Sequence, residues 1–336
     1  MLNQPSSINN ESSVAVYSRP YVAKGTHPIE TGRYLLPTNE IVRMYDTISQ
    51  WITNRSPGGM IYGRPRLGKS RAITYLTYEL PDEFGDNLPI FTLKCRQYKQ
   101  PSESSFFEDL LNDVGHAMPF SGKANIKRDR LYRYFVEKAE RSAQKRIILF
   151  IDDAQRLFEI HYGWLMDIYN ELDSAGISMT VILVGQEELV HQRSAFIQAK
   201  KAQIIGRFMV HEYKFKGVKD VDDMAACLAG YDHVSEYPEN SGWSFTRFYF
   251  PEGFDQGYRL ENCAKELFHI FTDLRKEHRL TKATEIPMQY LTLTVETALR
   301  HFGASGENTR WLTQEQWKRA IHHSGYIESE SYQEIV

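Results

Sequence analysis

Residues 58–70 read Gly-Gly-Met-Ile-Tyr-Gly-Arg-Pro-Arg-Leu-Gly-Lys-Ser, an apolar run that breaks into the pattern G-x-x-x-x-G-K-S and leads into a helical stretch. A strand, a glycine-bracketed turn and a helix in that order are the context in which this pattern cradles phosphate. Gly63 and Gly68 let the backbone close around the phosphates, with Arg64, Pro65, Arg66 and Leu67 forming the curve and Arg71 following it. Lys69 supplies a point charge for the β and γ phosphates, and the Ser70 hydroxyl suits a Mg²⁺ ion. The ligands so predicted are ATP and Mg²⁺.

Working outward, the runs at 89–95 (PIFTLKC), 146–152 (RIILFID) and 179–185 (MTVILVG) have the continuous apolar character of strands buried on both faces. Helical patterns alternate with them, including an amphipathic one from Asn39 to Ile52 with Thr38 or Asn39 as its N-cap. The order βαβα predicts an α/β fold with a parallel sheet and ligands at the carboxyl ends of its strands. The run Ile147–Ile151 ends in Asp152 and Asp153. Acids at a strand end near a phosphate loop have separate uses: Asp152 to hold Mg²⁺, Asp153 to orient or deprotonate the attacking water. The next strand delivers Gln186, an amide placed for the γ-phosphate or that water. Arg207, in QIIGRF, lies where ring-forming ATPases present an arginine to the neighbouring subunit's γ-phosphate. Arg193 is the next candidate for that role.

Beyond Lys216 the strand signal fades, and helical patterns near 218–230, 256–278, 286–301 and 313–323 predict a smaller helical domain. The predicted organisation is a mobile arm or strap over 1–30, a P-loop domain over 31–216, a helical lid over 217–326 and an acidic tail over 327–336. The aromatic stretch 235–253, with Trp243, Phe245, Phe248, Tyr249 and Phe250, suits either a hairpin or a partner-binding loop.

The 42% hydrophobic content over 336 residues supports two cores. Three scattered cysteines offer neither a zinc site nor a disulfide framework. The polar amino terminus carries no signal-peptide pattern, and no apolar run approaches membrane-spanning length. These features predict a cytoplasmic protein without a membrane partner. The net charge of −3 excludes a surface that coats nucleic acid throughout, yet residues 123–146 hold nine basic side chains against three acidic ones.

GRPRLGKS, IDDAQRL, LVGQEEL and IIGRF, in this order and spacing, resemble the AAA+ ATPases of the TnsC/TniB group, target-selection regulators of bacterial transposons, some guided by CRISPR effector complexes. The resemblance covers residues 35–215 well, the helical remainder loosely, and extends to secretion ATPases of the ExeA type. It implies an AAA+ P-loop domain with a helical lid. It implies also a homo-oligomer, a hexameric or heptameric ring or filament on double-stranded DNA, linking a transposase to a target-selector protein. By motif, Lys69, Ser70, Asp152, Asp153, Gln186 and Arg207 take the roles given above, and Arg259 in QGYRLENC is the candidate lid arginine. The segments after the second strand line the DNA side in this family, which makes Lys94, Arg96, Lys99, Lys123, Lys127, Arg128 and Arg130 candidate phosphate contacts, without base reading. Two departures bear on hydrolysis rate: Asp153 replaces the usual Glu, and Arg66 with Leu67 makes the loop bulkier than the common form. A helicase loader and a nucleotide-switched protein scaffold are the competing readings.

Overall fold

A computed structural model describes residues 18–335. Five parallel strands, β1 (Gly58–Tyr62), β2 (Ile90–Lys94), β3 (Arg146–Asp152), β4 (Ser178–Gly185) and β5 (His211–Lys214), form one sheet in the order β2-β3-β4-β1-β5. The pleat sends alternate residues to opposite faces. Ile147, Leu149 and Ile151 of β3 pack with Val181 and Leu183 of β4 in one core, while Ile148 and Phe150 pack with Ile182 and Val184 in the other. The helices Asn39–Thr53 and Lys69–Phe84 cover the second core; Glu103–Asp113, Ala124–Glu140 and Glu159–Ser174 cover the first. Burial on both faces is why the runs of β1, β3 and β4 are readable as strands, while β2, at one edge and only partly buried, is readable from its apolar run alone. β5 escapes that reading because its sequence, HEYK, holds no apolar run and alternates partly buried with exposed residues.

Residues 218–335 build a separate helical core, within which Val218 and Ile286 exchange backbone hydrogen bonds of 2.9 and 2.8 Å. The aromatic stretch is neither hairpin nor free loop. Phe245, Phe248, Tyr249 and Phe250 lie in or beside the short helices Phe245–Tyr249 and Pro251–Asp255 and are buried in that core. The rings of Phe245, Phe248 and Tyr249 surround His27, with centroids 4.5 to 5.1 Å away, and burial pushes its pKa down to about 4.

Of the expected amino-terminal arm, residues 1–17 lie outside the described residues. From residue 18 the chain packs on the helical domain, Arg19 resting 4.0 Å over the Phe248 ring. The expected acidic tail is a helix, Tyr326–Ile335. Tyr326 and Ile327 enter the core, and Glu330 is buried against Arg275 at 2.6 Å. Of its acids, Glu330 has a cation on the facing helix, while Glu328 is exposed. Among the described residues no helix is long and apolar enough to cross a membrane.

Candidate active site

The loop after β1 takes its shape from its two glycines. A Cβ on Gly63 would stand 2.4 Å from the carbonyl oxygen of Phe215, and Gly68 caps the helix Lys69–Phe84 with φ of 105°. A helix amino terminus therefore faces the site, with its unpaired N–H groups and partial positive charge. Lys69 is 9% exposed and donates to the carbonyls of Gly63 (2.7 Å) and Arg64 (2.8 Å). Burial pushes its pKa down to about 8, against the opposing pull of Asp152 and Asp153.

The carboxyl end of β3 brings the acids to this loop. Ser70 Oγ donates to Asp152 Oδ2 at 2.6 Å, and the other Asp152 oxygen accepts from the Asp153 N–H at 3.0 Å. Asp153 adopts φ of 55°, and its carboxylate is held by Gln155 Nε2 at 3.2 Å and by Arg156 at 3.4 Å. Because β4 lies between β1 and β3, Gln186 at its end falls between the loop and the acids. Its N–H donates to Gln155 Oε1 at 3.2 Å. Gln155, which sequence reasoning quoted but gave no role, thus ties Asp153 to the end of β4. Gly185 leaves the room, since a Cβ there would lie 2.5 Å from Gln155 Oε1.

A cavity of about 580 Å³ opens over these groups, within the range of small-molecule and cofactor sites. Pro65 to Arg71, Asp152, Asp153 and Gln186 line its polar part; Leu36, Ile41, Val218, Cys227 and Met288 give it apolar walls. The donor set fits a magnesium nucleotide: a buried cation, a helix amino terminus, a hydroxyl and carboxylate 2.6 Å apart, and an apolar slot beside them. Ser70 and Asp152 would hold the metal.

The remaining predicted residues have partners of their own. The Arg64 side chain turns to the helical domain, pairing with Glu285 (2.9 Å) and Glu330 (3.1 Å), and Arg66 donates to the Tyr290 hydroxyl at 2.7 Å. Arg71 lines the cavity and donates to the Gly32 carbonyl at 3.0 Å. Arg259 is not brought to the cavity: its guanidinium lies 3.5 Å over the Phe254 ring and donates to the Phe254 and Tyr258 carbonyls. The lid instead offers Gln289, Thr292 and Glu296. Arg207 lies outside its own chain's cavity, donating to Asn170 Oδ1 at 2.8 Å beside Tyr169, and Arg193 pairs with Glu212 at 2.7 Å.

Of the nine basic side chains of 123–146, Lys127 and Arg128 pair with acids outside the segment, and Arg133, Arg141 and Lys145 with acids inside it. Arg96 pairs with Asp109 and buried Lys127 with Glu108; Arg128 faces Glu103 and Asp167, and Arg130 donates to the Met118 and Ser121 carbonyls. Lys94, Lys99 and Lys123 are exposed and form no ion pair among the described residues.

Residues 54–192 match the family model described as AAA domain. No curated protein matches the sequence. Among solved structures, the chain is similar to the Aeropyrum pernix ORC1 protein in complex with DNA, at 12% identity over 86% of this chain and 66% of that one, TM-score 0.48. It is similar also to the ADP form of the Aeropyrum pernix ORC2 protein (13% identity, 88% and 71% covered, TM-score 0.46). A third is domain III of the Thermotoga maritima replication initiation protein DnaA (15%, 88% and 95%, TM-score 0.43). The parallel sheet with its phosphate loop is that of the AAA-type P-loop fold, and a helical region follows it at the carboxyl end.

Proposed function

We propose that this AAA-domain chain is an ATPase that binds Mg²⁺-ATP in the cavity, completes its catalytic site with Arg207 of a neighbouring copy, and uses the nucleotide state to assemble on duplex DNA. The observation that carries the ATPase reading is the Ser70–Asp152 contact of 2.6 Å beside buried Lys69. Lys69 and the helix amino terminus bind the phosphates. Bound Mg²⁺ would neutralise charge on the phosphates. Asp153 orients the lytic water and Gln186 reads the γ-phosphate. Asp153 is a methylene shorter than the usual Glu and is engaged by Gln155 and Arg156, which favours slow turnover. Arg207 stands outside its own cavity, as a residue acting on the next subunit must.

The narrower role, a TnsC/TniB-like regulator linking transposase and target selector, rests on the segments Ile151–Gln155 and Val184–Leu189 and on the free lysines Lys94, Lys99 and Lys123. A second reading, a nucleotide-switched protein scaffold, is favoured by the pairing of Arg96, Lys127 and Arg128 with acids. Imaging and sedimentation with plain duplex DNA and a non-hydrolysable ATP analogue separate the two. Analogue-dependent assembly on DNA is expected, with affinity falling steeply with salt. Replacing the three lysines with alanine should flatten that salt dependence. Oligomers that ignore DNA at low salt would favour the scaffold.

A further inference from the structure

One carboxylate in the cavity wall has no task in the chemistry above. Asp223 sits in the first turn of the helix Val221–Ala229, is 5% exposed, and lines the cavity with Asn39, Ile41 and Cys227. Its Oδ1 accepts from Asn39 Nδ2 at 3.2 Å and from Arg43 at 3.0 Å. Its Oδ2 is buried and has no hydrogen-bond partner among the described residues. The helix does not need it as a cap, since Asp220 already accepts from the Asp223 N–H at 2.8 Å. The other acids of the wall are satisfied: Glu40 accepts from Tyr213, Lys216 and Arg43, and Glu296 from Tyr34. A buried carboxylate oxygen without a donor is costly, and a ligand N–H removes that cost.

We infer that Asp223 Oδ2 accepts a hydrogen bond from the exocyclic amine of the nucleotide base and so selects adenine over guanine; this rests on the nucleotide reading of the cavity. The phosphate loop fixes one end of the ligand, and the apolar walls that adjoin Asp223 are where a flat ring finds cover. At its 6-position adenine presents an N–H donor, whereas guanine presents a carbonyl oxygen that repels a carboxylate. A carboxylate reads guanine by accepting from two adjacent N–H groups with both oxygens. Here Oδ1 is already engaged by Arg43 and Asn39. One free oxygen matches one amine.

Binding of ATP, GTP and purine riboside triphosphate, which carries hydrogen in place of the amine, to the full chain by calorimetry tests this. The wild-type protein should bind ATP on the order of 10- to 100-fold more tightly than either of the others, the range for a hydrogen bond to a charged group. In Asp223→Asn the oxygen must stay toward Arg43 and Asn39, so the amide NH₂ faces the base. ATP should then weaken about tenfold or more, purine riboside triphosphate should be unchanged, and GTP should improve. The inference falls if the wild-type protein binds ATP and purine riboside triphosphate equally, a comparison that needs no variant. It falls also if Asp223→Asn weakens both alike, which would make Asp223 only a brace for Arg43. Failure of every triphosphate to bind the wild-type chain would overturn the nucleotide reading itself.

Discussion

Replacing Glu330 with Gln tests whether the carboxyl-terminal helix is a structural anchor. The Arg275 and Glu330 side chains are 4% and 5% exposed and 2.6 Å apart, and Arg64 of the phosphate loop approaches the other Glu330 oxygen at 3.1 Å. The substitution keeps the shape and removes the charge. Deleting one partner of a buried pair costs about 3–5 kcal/mol because the other charge stays buried. Arg275 keeps the Lys282 carbonyl at 2.7 Å, and Arg64 keeps Glu285, so the lower end, about 3 kcal/mol, is expected. Urea unfolding followed by circular dichroism gives the difference as a shift of midpoint at constant slope. The pair Arg275→Met with Glu330→Leu removes both charges and should recover much of the loss. A loss below about 0.5 kcal/mol for Glu330→Gln, the level of an ordinary surface change, would refute the anchoring role.

Lys69 must be protonated to hold phosphate, and burial lowers its pKa to about 8 in the free protein, while a bound polyphosphate raises it. ATP affinity should therefore be full below about pH 8 and weaken by roughly tenfold per unit above it; an affinity flat to pH 9.5 by calorimetry contradicts the assignment. Lys69→Ala should bind ATP too weakly to measure. Asp153→Asn should keep ATP affinity and lose about 10²-fold or more in turnover, the scale of a lost general base, as read by phosphate release. Arg207→Ala should lose on the order of 10³-fold, and mixing it with Asp153→Asn should restore part of the rate, since one mixed interface carries both intact halves. A mixture that co-assembles yet stays inactive would move the finger to another arginine.

The α/β class and the phosphate loop were legible because their signals are local. GRPRLGKS needs only a strand before it and a helix after it, and strands buried on both faces announce themselves as unbroken apolar runs. The approach of Asp152 to Ser70 was legible at one remove, since Asp152 ends one strand and Ser70 opens the helix that the loop after another strand of the same parallel sheet leads into. β5 was not, because HEYK offers no apolar run and turns Glu212 and Lys214 to solvent. Gln155 stood in view, but its role depends on β4 inserting between β1 and β3, an order no run of residues states.

The remaining differences share one cause: a charge means nothing until its partner is known. Counted along the chain, residues 123–146 are a basic patch and 327–336 an acidic tail. Folded, Lys127 meets Glu108, Arg128 meets Glu103 and Asp167, and Glu330 meets Arg275 and Arg64, all from other elements. The aromatic stretch 235–253 likewise has no periodicity to mark it as core, yet it closes around His27, contributed by a segment more than two hundred residues earlier. The sequence by itself determined four of the five strands, the phosphate loop and the acids that end β3, because backbone geometry and pattern set these within a few residues. Only the tertiary structure decided which charges remain free, which are buried in pairs, and that Asp223 keeps one oxygen without a partner, because pairing is a property of neighbours in space.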